Sequence, residues 1–169
     1  MLNAAVWFGS GIYFTFFAGA VPFSAGMKEL LGPNNFPYFS GAIAQIFIAR
    51  YFLLQLICAI IAVVHLWAER LYFGRVPEKR WVGLSLLILG LILAGKYWLQ
   101  PRMHALHTFK YAVNVSEPAR AAAAHAFIIL HVFAQIINLA ILIALGIYLW
   151  RVANRKDPGH FITASRFSR

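Results

Sequence analysis

The chain has 169 residues, 62% of them hydrophobic and only 12% Asp, Glu, Lys or Arg, with a mean hydropathy of +0.71. A soluble domain carries about a quarter of its residues as charge, so so few charges exclude a water-soluble fold, and the long apolar runs point to lipid as the solvent. The net charge of +10 would raise nucleic acid as a partner in a soluble protein. Here the basic residues lie between and after the apolar runs, with no basic stripe interleaved with aromatics, so they read as helix-end anchors against anionic lipid and no nucleic-acid partner is expected.

Four segments reach the roughly 20 apolar residues that a transmembrane helix needs. The first is Ala4–Phe23, free of charge until Lys28. It lacks a basic n-region and a clear cleavage pattern, and so reads as a retained helix. Gly11, Thr15 and Gly19 form a small-xxx-small stripe on it, the pattern of a close helix contact. Gly32-Pro33-Asn34-Asn35-Phe36-Pro37 predicts a turn before the second helix, expected over about 47–68, with Arg50 near its start. Cys58, the single cysteine, lies inside this run and allows no intramolecular disulfide; it reads as a small buried hydrophobe.

Residues 74–80, Gly-Arg-Val-Pro-Glu-Lys-Arg, form a short connection to the third helix, expected over about 81–99 and uncharged until Lys96. Ser116-Glu117-Pro118 has the form of an N-cap followed by early helical positions. The fourth span is expected over about 127–150, within a longer helix opened there. Asp157-Pro158-Gly159 ends it and leaves a basic tail over 153–169. Trp7, Trp67, Trp81, Trp98 and Trp150, with Tyr51, Tyr72, Tyr97 and Tyr148, fall near the expected helix ends, where amphipathic rings favour the headgroup level.

These elements predict an all-α integral membrane four-helix bundle over residues 1–152 with both termini on the same side. The side holding the termini carries nine basic residues: Arg70, Arg75, Lys79, Arg80, Arg151, Arg155, Lys156, Arg166 and Arg169. The other side carries six: Lys28, Arg50, Lys96, Arg102, Lys110 and Arg120. The excess places both termini in the cytoplasm, and a bacterial inner (plasma) membrane is the expected location.

Ionisable and amide side chains near lipid carry a cost and deserve a functional hypothesis. Those here gather toward the non-cytoplasmic end. Lys96 and Gln100 share a face of the third helix, and Arg102 follows them. His131, Gln135 and Asn138 sit at i, i+4 and i+7 on the fourth, and Arg50 enters from the same side. Together Arg50, Lys96, Gln100, Arg102, His131, Gln135 and Asn138 make a candidate polar site for an anion, a headgroup or a quinone carbonyl. The competing reading is interhelical hydrogen bonding, with Lys96 and Arg50 snorkelling.

The histidines raise haem or a metal as an alternative. His65 and His131 differ in depth by about 28 Å along their helices and cannot share a haem. His104, His107 and His125 could gather near one membrane edge, though with no acid or thiolate beside them. No phosphate-binding loop or zinc-protease motif occurs. The five acids, Glu29, Glu69, Glu78, Glu117 and Asp157, all lie outside the spans, which argues against a carboxylate proton relay.

Trp7-Phe8-Gly9-Ser10-Gly11 leading to Phe17-Ala18-Gly19, then Phe36-Pro37-Tyr38-Phe39, Trp98-Leu99-Gln100-Pro101-Arg102, and His131 with Asn138-Leu139, appear in an order that resembles the transmembrane protein 205-like family, a domain of unknown function. The resemblance covers all four helices. It departs at Gln100, where the family often has an acid, and at Gln135, near which it often has a small residue. It implies a four-helix membrane fold and no reaction, cofactor or substrate. The expectation is thus a non-enzymatic membrane protein, an accessory or scaffold subunit contacting the bilayer and other membrane subunits, with no cofactor or metal. A small transporter or lipid-, quinone- or anion-binding protein is the first alternative, and a haem or metal protein the second.

Overall fold

The computed structural model describes residues 1–73 and 78–154. The loop of Gly74, Arg75, Val76 and Pro77 lies outside the described residues. So does the basic tail from Arg155, with its Asp157-Pro158-Gly159 stop and with Lys156, Arg166 and Arg169. The described residues are helical, with no strand: α1 (Leu2–Phe16), α2 (Ala25–Phe73), α3 (Lys79–Ala94), α4 (Gln100–Lys110) and α5 (Glu117–Ala153). A 3₁₀ segment, Ala18–Phe23, joins α1 to α2, and a π turn, Gly95–Leu99, joins α3 to α4.

The breaks follow from the residues that sit at them. α1 ends at Phe17 and tightens into the 3₁₀ turn around Pro22, whose ring cannot donate to an α ladder. Ser24 is extended, and its hydroxyl accepts from the Met27 amide at 3.3 Å, capping the start of α2. Gly32, at φ 72° and ψ 162°, takes a conformation that L side chains rarely adopt and divides α2 into a short leg, residues 25–31, and a long rod, residues 33–73. Pro33 opens that rod in the first turn, where its missing N–H costs nothing. The predicted turn therefore shrinks to one residue, and the rod begins well before position 47. At the other break, the Pro101 ring crowds the carbonyl one turn back and removes a donor, and the preceding turn widens to π geometry. α3 and α4 thereby run on past the expected end at Leu99. Ser116 does stand at the N-cap of α5, with Pro118 in the first turn.

Three helical stretches among the described residues are long and apolar enough to cross a membrane: Leu2–Tyr72, Lys79–Lys110 and Glu117–Ala153. Large apolar side chains such as Ile46, Val64, Leu87, Ile136 and Ile143 face outward, where lipid contacts them. The first stretch folds back on itself. Asn3 donates to the Cys58 carbonyl at 3.0 Å and Trp7 bonds to Gln55, so α1 and α2 are antiparallel. Trp7 packs edge-on against Tyr148, and Asn138 bonds to Thr15, so α1 is antiparallel to α5 as well. The core is built from Trp7, Cys58, Ala59, Ala62, Ile88, Ile92, Ile141 and Leu145.

Trp7 corrects an expectation. It is not an interfacial ring but one of the largest fully buried side chains, 1% exposed. Its indole N–H finds an acceptor in Gln55, which removes the usual reason for that ring to seek water. Tyr51 and Tyr148 also turn inward, whereas Trp67, Trp98, Trp150, Tyr72 and Tyr97 face out as expected of rings at a membrane boundary.

Candidate functional site

Three separate groups hold the residues expected to form one polar site. The first is a seam where α1, α2 and α5 meet. Gly11 is buried and lets α5 approach: a Cβ there would stand 2.6 Å from Leu142 Cδ2 and 3.5 Å from the Tyr51 hydroxyl. One turn on, Thr15 donates its hydroxyl to the Gly11 carbonyl at 2.7 Å and accepts from Asn138 Nδ2 at 2.8 Å. Asn138 Oδ1 in turn accepts from the Tyr51 hydroxyl at 3.0 Å, and the Tyr51 ring stacks on Phe14 with centroids 4.0 Å apart. Trp7 and Gln55 extend the seam along α1 and α2. Trp7, Thr15, Tyr51 and Asn138 are thus each bonded to another helix, as an apolar surrounding favours, while Gln55 Nε2 is buried with no hydrogen-bond partner. Gly19 departs from the expected stripe. It lies in the 3₁₀ segment, and a Cβ there would meet the Phe14 carbonyl of its own chain segment at 2.9 Å rather than a partner helix.

The second group centres on His107. Its ring lies on Gly41 of α2, where a Cβ would fall 2.2 Å from Nε2. Tyr38 stacks on it, Tyr111 and Phe127 flank it, and His131 stacks on Phe127 in turn. Gln135 Nε2 donates to His131 Nε2 at 3.0 Å, a bond that requires the imidazole proton on Nδ1. Tyr111 ties α4's end to the Pro37 carbonyl at 2.9 Å. His107 Nε2 and, one turn along α2 from Gly41, Gln45 Oε1 are buried with no hydrogen-bond partner.

The third group points outward. Arg102 lies over the Trp98 ring at 4.5 Å, Lys96 over Tyr97 at 5.4 Å, and Arg50 is exposed. Long side chains with apolar stems and a cation resting on an interfacial ring suit a membrane boundary. Gln100 is half-buried beside them. His131 is thus joined to Gln135 and Asn138 to Thr15 and Tyr51, and among the described residues no hydrogen bond links Arg50, Lys96 or Arg102 to them.

His104 and His125 are exposed and do not converge with buried His107. Among the described residues, no three of His, Cys, Asp and Glu come close enough to hold a metal ion. Trp7, Tyr51, Gln55, Gln45, Gly41 and His107 belong to the polar framework yet were not expected there. The available signal was spacing: Tyr51, Gln55 and Cys58 recur at i, i+4 and i+7 on α2, in register with Trp7, Gly11 and Thr15 on α1.

A family model described as a domain of unknown function, DUF4149, matches residues 2–112. The chain belongs to the DUF4149 family. The matched region takes in α1 through α4, with Trp7, Gly11, Thr15, Tyr51, Gln55 and His107, while α5 with Asn138 and His131 lies outside it. Neither the curated proteins nor the solved structures yield a match to the chain. The family shown is thus the DUF4149 domain, and the match does not extend to the narrower likeness to transmembrane protein 205.

Proposed function

We propose that this DUF4149 chain is a non-catalytic membrane module that crosses the bilayer four times and acts as an accessory or scaffold subunit for other membrane proteins. One observation carries the reading. In the seam of α1, α2 and α5, Trp7 bonds to Gln55 and Thr15 to Asn138 to Tyr51, so these side chains serve to hold the three helices together. The outward face of α1 meanwhile presents Val6, Tyr13, Phe16 and Phe17, with Tyr13 and Phe17 stacked at 6.1 Å, to lipid or to another subunit. A likeness to the transmembrane protein 205-like family, a bacterial inner membrane and cytoplasmic termini belong to the same reading and are supported by the motif order and the excess of Lys and Arg. Affinity purification in a mild detergent tests it. The expected result is co-elution of a defined set of membrane proteins, lost when Tyr13 and Phe17 are both changed to Ala. A particle that is monomeric and free of partners at native expression level overturns it.

A second reading rests on Gln45 Oε1 and His107 Nε2, two buried polar atoms with no partner near the His131–Gln135 pair. An amphiphile with a hydrogen-bonding head, such as a quinone or a lipid headgroup, would satisfy them once the His107 ring swings off Gly41. Mass analysis of molecules released from purified protein tests this: a quinone or lipid retained by the native chain and lost from Gln45→Leu and His107→Leu supports it, and no difference overturns it.

A further inference from the structure

The α2–α3 hairpin outruns its neighbours. The Asn3–Cys58 bond places the start of α1 about 18 Å short of Arg70 along α2. α5 reaches the hairpin end through Arg151, whose guanidinium rests on Trp81 at 4.0 Å and bonds to Glu78 at 2.8 Å. Beyond the core, Val63, Leu66, Trp67 and Arg70 of α2 and Ser85 and Leu86 of α3 line a groove of about 300 Å³. Ser85, 3% exposed, is small enough to leave this space, and Trp67, 68% exposed, stands at its lip.

The dimensions select an occupant. From Val63 to Arg70 the groove runs about 10 Å, two turns of α2. An α-helix, about 10–12 Å across, would rest across the rim formed by Trp67, whereas an extended hydrocarbon chain lies along the groove between α2 and α3. The walls are apolar, and the mouth carries the exposed guanidinium of Arg70, for which no bond or ion pair occurs among the described residues. Among the described side chains at this end of α2 and α3, Arg70, Lys79 and Arg80 are basic, and Glu78 is already engaged by Arg80 and Arg151. The charge around the mouth is therefore complementary to an anion.

We infer that this groove seats one acyl chain of an anionic phospholipid, with the phosphate held by Arg70 at its mouth and the chain lying past Trp67 and Leu66 toward Val63. Such a lipid satisfies the apolar wall and the cation together, and a zwitterionic lipid satisfies only the wall. The site holds whichever face of the membrane the hairpin end occupies, and it is independent of any protein partner.

The test uses the full chain in phosphatidylcholine vesicles containing a minor fraction of a lipid brominated on its acyl chains, either phosphatidylglycerol or phosphatidylcholine. The Trp67 contribution to fluorescence is obtained by subtracting the Trp67→Phe protein. Quenching at equal mole fraction should show a preference of about fivefold for the anionic lipid, the factor expected for one basic residue at the surface. Arg70→Gln should abolish the preference while leaving quenching, and Arg102→Gln, at the other end of α3–α4, should not change it. Ser85→Leu, which fills the groove with apolar atoms and preserves helix propensity, should reduce quenching by both lipids. Equal quenching of the native protein by the two lipids, no quenching of Trp67 by either because a protein covers it, or a preference that survives Arg70→Gln would each overturn the assignment.

Discussion

At the scale of single residues, α2 and α4 approach each other where His107 lies on Gly41. The imidazole is flanked by Tyr38, Tyr111 and Phe127, so it has little room to move when a methyl group appears 2.2 Å from its Nε2. Gly41→Ala should therefore destabilise the fold by about 1–3 kcal/mol, the usual cost of overpacking. Gly146→Ala makes the comparison, because its Cβ would meet Phe8 at an ordinary 3.4 Å, and its cost should be a small fraction of that. Unfolding in mixed micelles with increasing denaturing detergent measures both, and His107→Ala should relieve the Gly41→Ala defect in the double variant. Equal stability of the two Gly→Ala proteins would remove His107 as the cause. Some residue roles were legible in the sequence. Gly11 and Thr15 stood on one face of an apolar run, and small or hydroxyl residues there have few uses besides close helix contact. Asn138 was legible as an uncharged polar group that must find a partner, but not which partner, because Thr15 and Tyr51 come from other helices. Trp7 was misread because interfacial and core tryptophans both occur near helix ends. Only the acceptor supplied by Gln55, remote in sequence, decides between them.

At the scale of elements, the apolar runs marked where lipid begins and ends, and the helices do not stop there. α2 runs on toward Gly32 and α4 toward Lys110 because these less apolar turns pack on one another, with Tyr111 bonded to the Pro37 carbonyl and His107 set on Gly41. Proline in the sequence signalled a turn at 33–37 and gave no hint of the π turn before Pro101, since both positions show the same residue and differ only in what precedes it: glycine at position 32 and a helical turn at position 100. α3 and α5 are clamped at the hairpin end by Glu78, which accepts from Arg80 at 2.5 Å and Arg151 at 2.8 Å. The Arg80 guanidinium, with Arg151 beside it, holds the Glu78 carboxyl below the ordinary carboxylate range. A carboxyl so depressed in the folded state adds stability that is fully present above its unfolded value of about 4.3 and is lost as pH falls through the lower folded value. Thermal unfolding of the native protein should therefore fall toward that of Glu78→Gln as the pH drops below about 4, with the native protein the more stable at neutral pH. The gap should be small, because the group is exposed and screened by salt. A gap that is independent of pH would show that Glu78 acts through its backbone position at the start of α3 rather than through its charge.

At the scale of the whole molecule, the decisive quantity is how many times the chain crosses the bilayer, and α1 decides it. Its 15 residues span about 22 Å as α-helix, short of the roughly 30 Å hydrocarbon core. The 3₁₀ segment Ala18–Phe23 adds about 12 Å at 2 Å per residue, so the two lengths together match the thickness of the core. The seam favours the same answer. Asn3 and Trp7 meet α2 in its apolar half and Thr15 meets Asn138 deep in α5, so α1 lies alongside two membrane-length helices rather than on a surface. Four crossings put Leu2, Lys79 and Asn154 on one side and Lys28 and Ser116 on the other. In a Cys58→Ala background, single substitutions Leu2→Cys, Lys28→Cys, Lys79→Cys, Ser116→Cys and Asn154→Cys should label with a membrane-impermeant maleimide in two sets. Lys28→Cys and Ser116→Cys should react in intact cells, and the other three should react only after the membrane is opened. If Leu2→Cys and Lys28→Cys react from the same side, α1 re-enters without crossing and the chain spans three times. If all five keep to the two sets but exchange sides, the four-helix arrangement stands and the orientation read from the basic residues is reversed.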